Sequence, residues 1–310
     1  TWNRREKMKF NNIAKSVIAA SALTVASFGA NSSIISSSVL NVTGFGIEVV
    51  EGSASIPTNT WSLENDATFN NVSSGISGVY SLTGGIGDPA LSCVGSDCGT
   101  IAENDFSLGL LDSTDTLNFA QADSYLIDSQ AGVDASSRAD VSLTGIANGN
   151  SNSADSNIHN SITTTLTFDV ETDGTSIGIG YSYVAQLISE IGADMQGPDY
   201  ITQANSSYSL SFTLSADDGH FIGNDNFIAL FLLGTNGSET ATQLDTSASL
   251  NSSGPKETLL TGLLNGQYTL TIKHETGANI NHINVPEPTS VAILGLGLLG
   301  FAGAARRRKA

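Results

Sequence analysis

Tyr208-Ser209-Leu210-Ser211-Phe212-Thr213-Leu214 decides the fold. Every second residue is large and apolar, and every residue between carries a hydroxyl. Successive side chains of a strand point to opposite faces, so this stretch reads as a strand with one dry face and one wet face. A helix would scatter the same apolar groups around its circumference. Other stretches repeat the pattern. Ile162, Leu166, Phe168 and Val170 oppose Thr165, Thr167 and Asp169; Ile177, Ile179, Tyr181 and Tyr183 oppose Gly178, Gly180 and Ser182; Tyr268, Leu270 and Ile272 oppose Thr269, Thr271 and Lys273. Shorter pieces stand at Leu117 and Phe119, and at Val141 and Leu143. The expected fold is all-β, an antiparallel β-sandwich or jelly-roll-like domain.

Three features refine that expectation. Phe227-Ile228-Ala229-Leu230-Phe231-Leu232-Leu233 is apolar at every position, which predicts a central strand covered on both faces. Asn265-Gly266 lies between two apolar runs, the strongest short hairpin cue in the chain. Residues 184–191 are the best candidate for a short helix. Residues 145–160 are rich in Asn, Ser, Gly and Asp, which predicts a loop or linker and a subdivision of the 31–285 domain near residues 145–157.

The chain has 310 residues and a net charge of −18. Nine of its 12 Lys and Arg lie in the two ends, so residues 30–285 keep Arg138, Lys256 and Lys273 against 28 Asp and Glu. A surface of that sign repels nucleic acid and anionic lipid, and neither is expected as a partner. The first Met is Met8, and residues 1–7 are read as preceding the start. Lys9 and Lys15 followed by the apolar run 17–25 form a secretory signal helix, with signal peptidase expected to cut after Gly29 or Ala30. In an exported protein, Cys93 and Cys98 would close a local disulfide; the rival metal site would need two more ligands, and no His lies near.

The C-terminus carries Val285-Pro286-Glu287-Pro288, then an uncharged apolar run over 289–305, then Arg306, Arg307, Arg308 and Lys309. As a helix the run is about 25 Å long, a little short of the ~30 Å hydrocarbon core, and the terminal cations hold that end on the cytoplasmic side. The two prolines keep Val285 and Glu287 extended, so the motif is presented outside the helix. These three parts in order resemble the PEP-CTERM sorting tail of Gram-negative bacteria over residues 285–310. The resemblance implies recognition and cutting near the motif by the membrane-embedded exosortase, delivery to the cell surface or medium, and an association with exopolysaccharide and biofilm matrix.

Catalytic patterns do not stand out. His159, His220, His274 and His282 are not spaced for zinc, and no nucleophile elbow or phosphate loop occurs. Oxygen donors at Asp217, Asp218, Asn224 and Asp225 on a Gly-punctuated loop suit calcium, although Asp, Asn and Gly also make turns unaided. The expectation is a structural or adhesive surface protein without enzymatic activity. A carbohydrate-binding module using Trp61, Tyr80, Tyr125, Tyr181, Tyr183 or Tyr200 is the alternative, and a secreted glycoside hydrolase the second.

Overall fold

The structure is a computed structural model that describes residues 33–55, 59–82, 85–112, 114–129, 132–144, 150–160, 166–192, 200–216, 230–242 and 247–284. The stretches expected to form a signal helix and a sorting tail, residues 1–30 and 285–310, lie outside the described residues. Fifteen strands follow in chain order: β1 (Ser33–Glu51), β2 (Ala54–Ser55), β3 (Asn59–Phe69), β4 (Val72–Leu82), β5 (Ile86–Gly87), β6 (Ser92–Gly95), β7 (Phe119–Ser129) and β8 (Gly132–Thr144). Then come β9 (Asn150–Asn160), β10 (Leu166–Val170), β11 (Thr175–Ile191), β12 (Tyr200–Ala216), β13 (Leu230–Thr242), β14 (Ser247–Leu263) and β15 (Gly266–Asn284).

They form two antiparallel sheets. Sheet A runs β14-β11-β1-β8-β7-β5, with β6 also beside β7; sheet B runs β13-β12-β15-β9-β3-β4, with β10 beside β15 and β2 beside β10. The apolar faces that period two marked meet between the sheets. Tyr208, Leu210, Phe212 and Leu214 from β12 pack with Ile177, Ile179, Tyr181 and Tyr183 from β11 and Tyr268, Leu270 and Ile272 from β15. Phe212 lies between two rings, 5.6 Å from Phe45 and 5.0 Å from Tyr181. Toward the other end the interior narrows to Ala67, Ala120, Ala122, Ala139, Ala204, Ala241 and Ala278 with Ile34 and Ile280. Small side chains there let the sheets approach closely. Serines bridge them: Ser36 Oγ donates to the Asn205 carbonyl, and Ser38 Oγ to the Ser207 carbonyl at 2.6 Å.

Four expectations are corrected. Residues 184–191 are strand, the second half of β11, because β1 pairs them on one side and β14 on the other. Residues 150–160 are no linker: β9 sits between β15 and β3, so both chain halves share sheet B. The described part of the 227–233 run begins β13, which ends the strand path of sheet B instead of lying at its centre. Asn265-Gly266 does not close a hairpin. It carries the chain from β14 in sheet A to β15 in sheet B, and Tyr268 ties the crossing, its hydroxyl accepting from Leu264 N–H at 3.1 Å and donating to Leu264 O at 3.1 Å. A two-residue hairpin lies instead at Asn70-Asn71, between β3 and β4. Both residues have positive φ, 51° and 64°, as the type I′ turn demands.

Candidate functional site

The outer face of sheet B shows water Ser, Thr and Asn together with Glu64, Asp66, Lys273 and Glu275. In sheet A, β14 and the end of β1 are open to water, but the first half of β1 is buried on its outer side too. There it is roofed by residues 88–118, which leave sheet A after β5, pair briefly as β6, and return at β7. This cap has six acidic residues and no Lys or Arg. Its roots are fixed in three ways. Cys93 and Cys98 are bridged, with Cα atoms 5.8 Å apart. Asp97 accepts the Asn118 N–H at 2.8 Å while its own N–H reaches Asn118 O. Gly95, at φ 133°, presses against the Asn118 backbone so closely that a Cβ would meet Asn118 O at 2.3 Å.

The cap is anchored by a small apolar plug and a larger polar clamp. Ile101 and Leu111 reach down to Ile35 and Phe119. Around them the outer face of sheet A supplies polar side chains that its neighbours bury. Arg138 and Asp140 of β8 are 1% and 0% exposed and form an ion pair through Nε. Ser37 Oγ donates to the other Asp140 oxygen at 2.5 Å. Arg138 Nη1 donates into the cap, to Ser107 O at 2.8 Å and Asp105 O at 3.4 Å. Asn41 Nδ2 donates to Phe106 O, Gln121 Nε2 to Ile101 O, and Gln186 Oε1 accepts from Gly109 N–H at 2.6 Å. The pattern has one cause. A loop laid on a sheet brings backbone carbonyls and amides that need partners once water is excluded, and the sheet face provides them.

Charge completes the site. Asp123 accepts the Asn104 N–H at 2.6 Å. Burial pushes its carboxyl up to about 6 against the donors Asn104 and Ser124, and the neighbouring acids Glu103 and Asp88 add to the rise. Asp105 is held below the usual carboxylate range by hydrogen bonds from Ser107, with help from Arg138. Between the sheets His274 is the counterpart. Its Nε2 lies 2.8 Å from Ser137 Oγ and 3.2 Å from Leu40 O. A carbonyl can only accept, so the proton sits on Nε2. Burial pushes this imidazole down to about 3.

The sequence-predicted residues are dispersed. Trp61, Tyr181 and Tyr183 are buried between the sheets, Tyr125 is half-buried, and no aromatic residue belongs to the large exposed side chains among the described residues. Asp217, Asp218, Asn224 and Asp225 lie outside the described residues. Among the described residues no three His, Cys, Asp or Glu converge to hold a metal. The clamp residues carry no motif, and only the isolated Arg138, one of three cations between the two ends, offered a signal.

The last strand leads to the tail. β15 ends at Asn284, paired with Tyr200 of β12. A family model described as the PEP-CTERM protein-sorting motif matches residues 284–309. This tail is a PEP-CTERM sorting motif. It covers Val285, Pro286, Glu287 and Pro288 and the cluster Arg306, Arg307, Arg308 and Lys309. No curated protein and no solved structure matches the chain. The PEP-CTERM motif marks the chain for exosortase-dependent sorting to the cell envelope or surface, and the sandwich is what it delivers.

Proposed function

We propose that the chain is a structural, adhesive component of the cell surface or extracellular matrix, linked to extracellular polysaccharide and released from a membrane intermediate by exosortase. The observation that carries this reading is the junction at Asn284, where the PEP-CTERM motif starts on the last residue of a strand held in the sandwich. A cut near the motif would leave the folded domain intact, with its C-terminus secured between β12 and β9. The acidic, hydroxyl-rich surface keeps such a domain soluble and hydrated at the cell exterior. No catalytic role is assigned. The buried carboxylates Asp123 and Asp140 are both engaged by the cap and its clamp.

The test is intact mass and fractionation of the protein in cells with and without exosortase. The expected result is loss of the tail's mass and appearance at the surface or in the medium only when exosortase is present. An uncut chain in the inner membrane of both strains would refute the sorting half of the reading.

A further inference from the structure

The edges of the two sheets are not alike. A strand at a sheet edge exposes a row of unpaired backbone groups, and proteins blunt such edges by shortness, charge or proline. Sheet A ends on one side in β5 and β6, of two and four residues. On the other side β14 carries Pro255, Lys256 and Glu257. At the end of sheet B, β13 carries Glu239, and Leu250 of β14 packs closely over its Gly237. The side branch of sheet B ends in β2, of two residues. The remaining edge, β4, has none of these devices. Val72-Ser73-Ser74-Gly75-Ile76-Ser77-Gly78-Val79-Tyr80-Ser81-Leu82 is eleven residues long without a charge or a proline. Among the described residues its strand partner is β3 alone, and Val72 is 59% exposed. The facing sheet reaches β4 only with the short β5 and β6, which lie across the sandwich from it; among the described residues the hydrogen bond between them is Ser92 Oγ to Ser74 O.

We infer that β4 is a self-association edge, on which a second copy of this chain adds its own β4 antiparallel about a two-fold axis through Ser77. Charge selects the partner. With 28 acids against three cations in residues 30–285, a pairing of copies through most other surfaces would oppose like charges. Along β4 it opposes none. The register also complements itself, placing Ser77 against Ser77 and Ile76 against Gly78, a branched residue facing an open one. The nearest carboxylate on the axis is Glu64 of β3, opposite Ser77. Two copies of Glu64 would stand three strand spacings apart, about 14 Å. That exceeds the Debye length of about 8 Å at physiological salt, so the acids do not veto the contact. The inference rests on the sandwich geometry and holds whatever the surface role.

Sedimentation of the full chain over a concentration series tests it. An edge contact is small, so association should emerge in the tens of micromolar, on the order expected for weak interfaces. It should strengthen with salt. Ser77→Lys, which sets like charges on the axis, should weaken it at least 10-fold while leaving the circular dichroism unchanged. Ser77→Cys, in a chain whose two cysteines are already bridged, should give a covalent dimer on mild oxidation, whereas Ser238→Cys on β13 should not. A monomer at every concentration would overturn the proposal. So would a dimer indifferent to Ser77→Lys, or equal cross-linking through Ser238→Cys. Should Ser77→Lys fail to fold, the two cysteine variants decide the matter.

Discussion

Ile34 and Ile35 are neighbours on β1, and both are fully buried, yet they enter different layers. Ile34 packs between the sheets with Leu143, Ile191 and Ile280; Ile35 packs outward, under the cap, with Ile101, Leu111 and Phe119. The inner layer is sheet against sheet. Each sheet pairs its own backbone in its strand ladders, so the inner side chains are mostly apolar and need chiefly to fit, with a few serines and His274 bonding across. The outer layer is loop against sheet. The cap's backbone is irregular, so the sheet face answers it with Arg138, Asp140, Gln121, Asn41 and Gln186. Burial is therefore reached by two chemistries on opposite faces of one sheet, and each should fail in its own way.

The largest effect separates them by additivity. Arg138→Met strands the Asp140 carboxylate, and Asp140→Leu strands the guanidinium; each should cost about 3–5 kcal/mol in urea unfolding. The double variant should be much less destabilised than the sum, because neither charge is then orphaned. Phe212→Ala in the inner layer should cost a similar ~3–5 kcal/mol through the cavity it leaves. It shares no partner with the clamp, so its cost should add to Arg138→Met within about 0.5 kcal/mol. Additive singles at Arg138 and Asp140 would show that the clamp is not a unit.

Acid should drive the two layers in opposite directions. The His274 pKa falls from 6.5 to about 3 on folding. The unfolded chain binds that proton first, so the inner layer loses stability as pH drops from about 6.5 toward 3. The Asp123 pKa rises from 3.8 to about 6, so the folded chain binds its proton first. That contribution is fully present below 3.8 and is lost as pH rises through 6. Each proton is worth at most about 1.4 kcal/mol per pH unit. His274→Gln should flatten the fall in stability between pH 6 and 4, and Asp123→Asn should steepen it. Identical slopes in both variants would refute this division.

A smaller effect tests how local the cap is. The Cys93–Cys98 loop is short, and its closure is worth on the order of 2 kcal/mol. Reduction, or Cys93→Ser with Cys98→Ser, should raise hydrogen exchange in residues 93–118 and leave β12 and β15 protected. Faster exchange throughout the sandwich would mean that the cap and the inner layer unfold as one.

The same contrast explains what could be read from sequence. Period two found the inner layer: Tyr208, Leu210, Phe212 and Leu214 are all buried on one face of β12. It could not find the outer layer. Ser33 to Leu40 are buried on both faces of β1, yet four of those eight residues are serine, which reads as a wet surface until a cap lies over it. The apolar 227–233 run suggested the two-sided strand that β1 in fact is. β9 was missed because Asn-Ser-Asn-Ser-Ala-Asp-Ser has neither branched nor aromatic side chains. Its place is set by β3 and β15 on either side, a tertiary cause that local preference does not carry. The tail was legible because its three parts lie side by side in the chain and need no fold to bring them together.

Tyr268 belongs to both chemistries, and it supplies the finest test. Its ring stacks on Phe168 at 5.5 Å within the inner layer. Its hydroxyl holds both backbone groups of Leu264, where the chain crosses from sheet A to sheet B. Tyr268→Phe keeps the ring and removes the tie. Leu264 is half-buried, so water can replace part of what is lost, and the cost should be about 1 kcal/mol. Tyr268→Leu also removes the stacking, worth a further ~0.5–1.5 kcal/mol. If the hydroxyl serves the crossing, Tyr268→Phe should raise exchange at Leu264 and Asn265 while Phe168 and its neighbours on β10 stay protected. Equal loss at both places would mean that ring and hydroxyl act as one structural unit, and that the boundary between apolar packing and backbone satisfaction does not run through this residue.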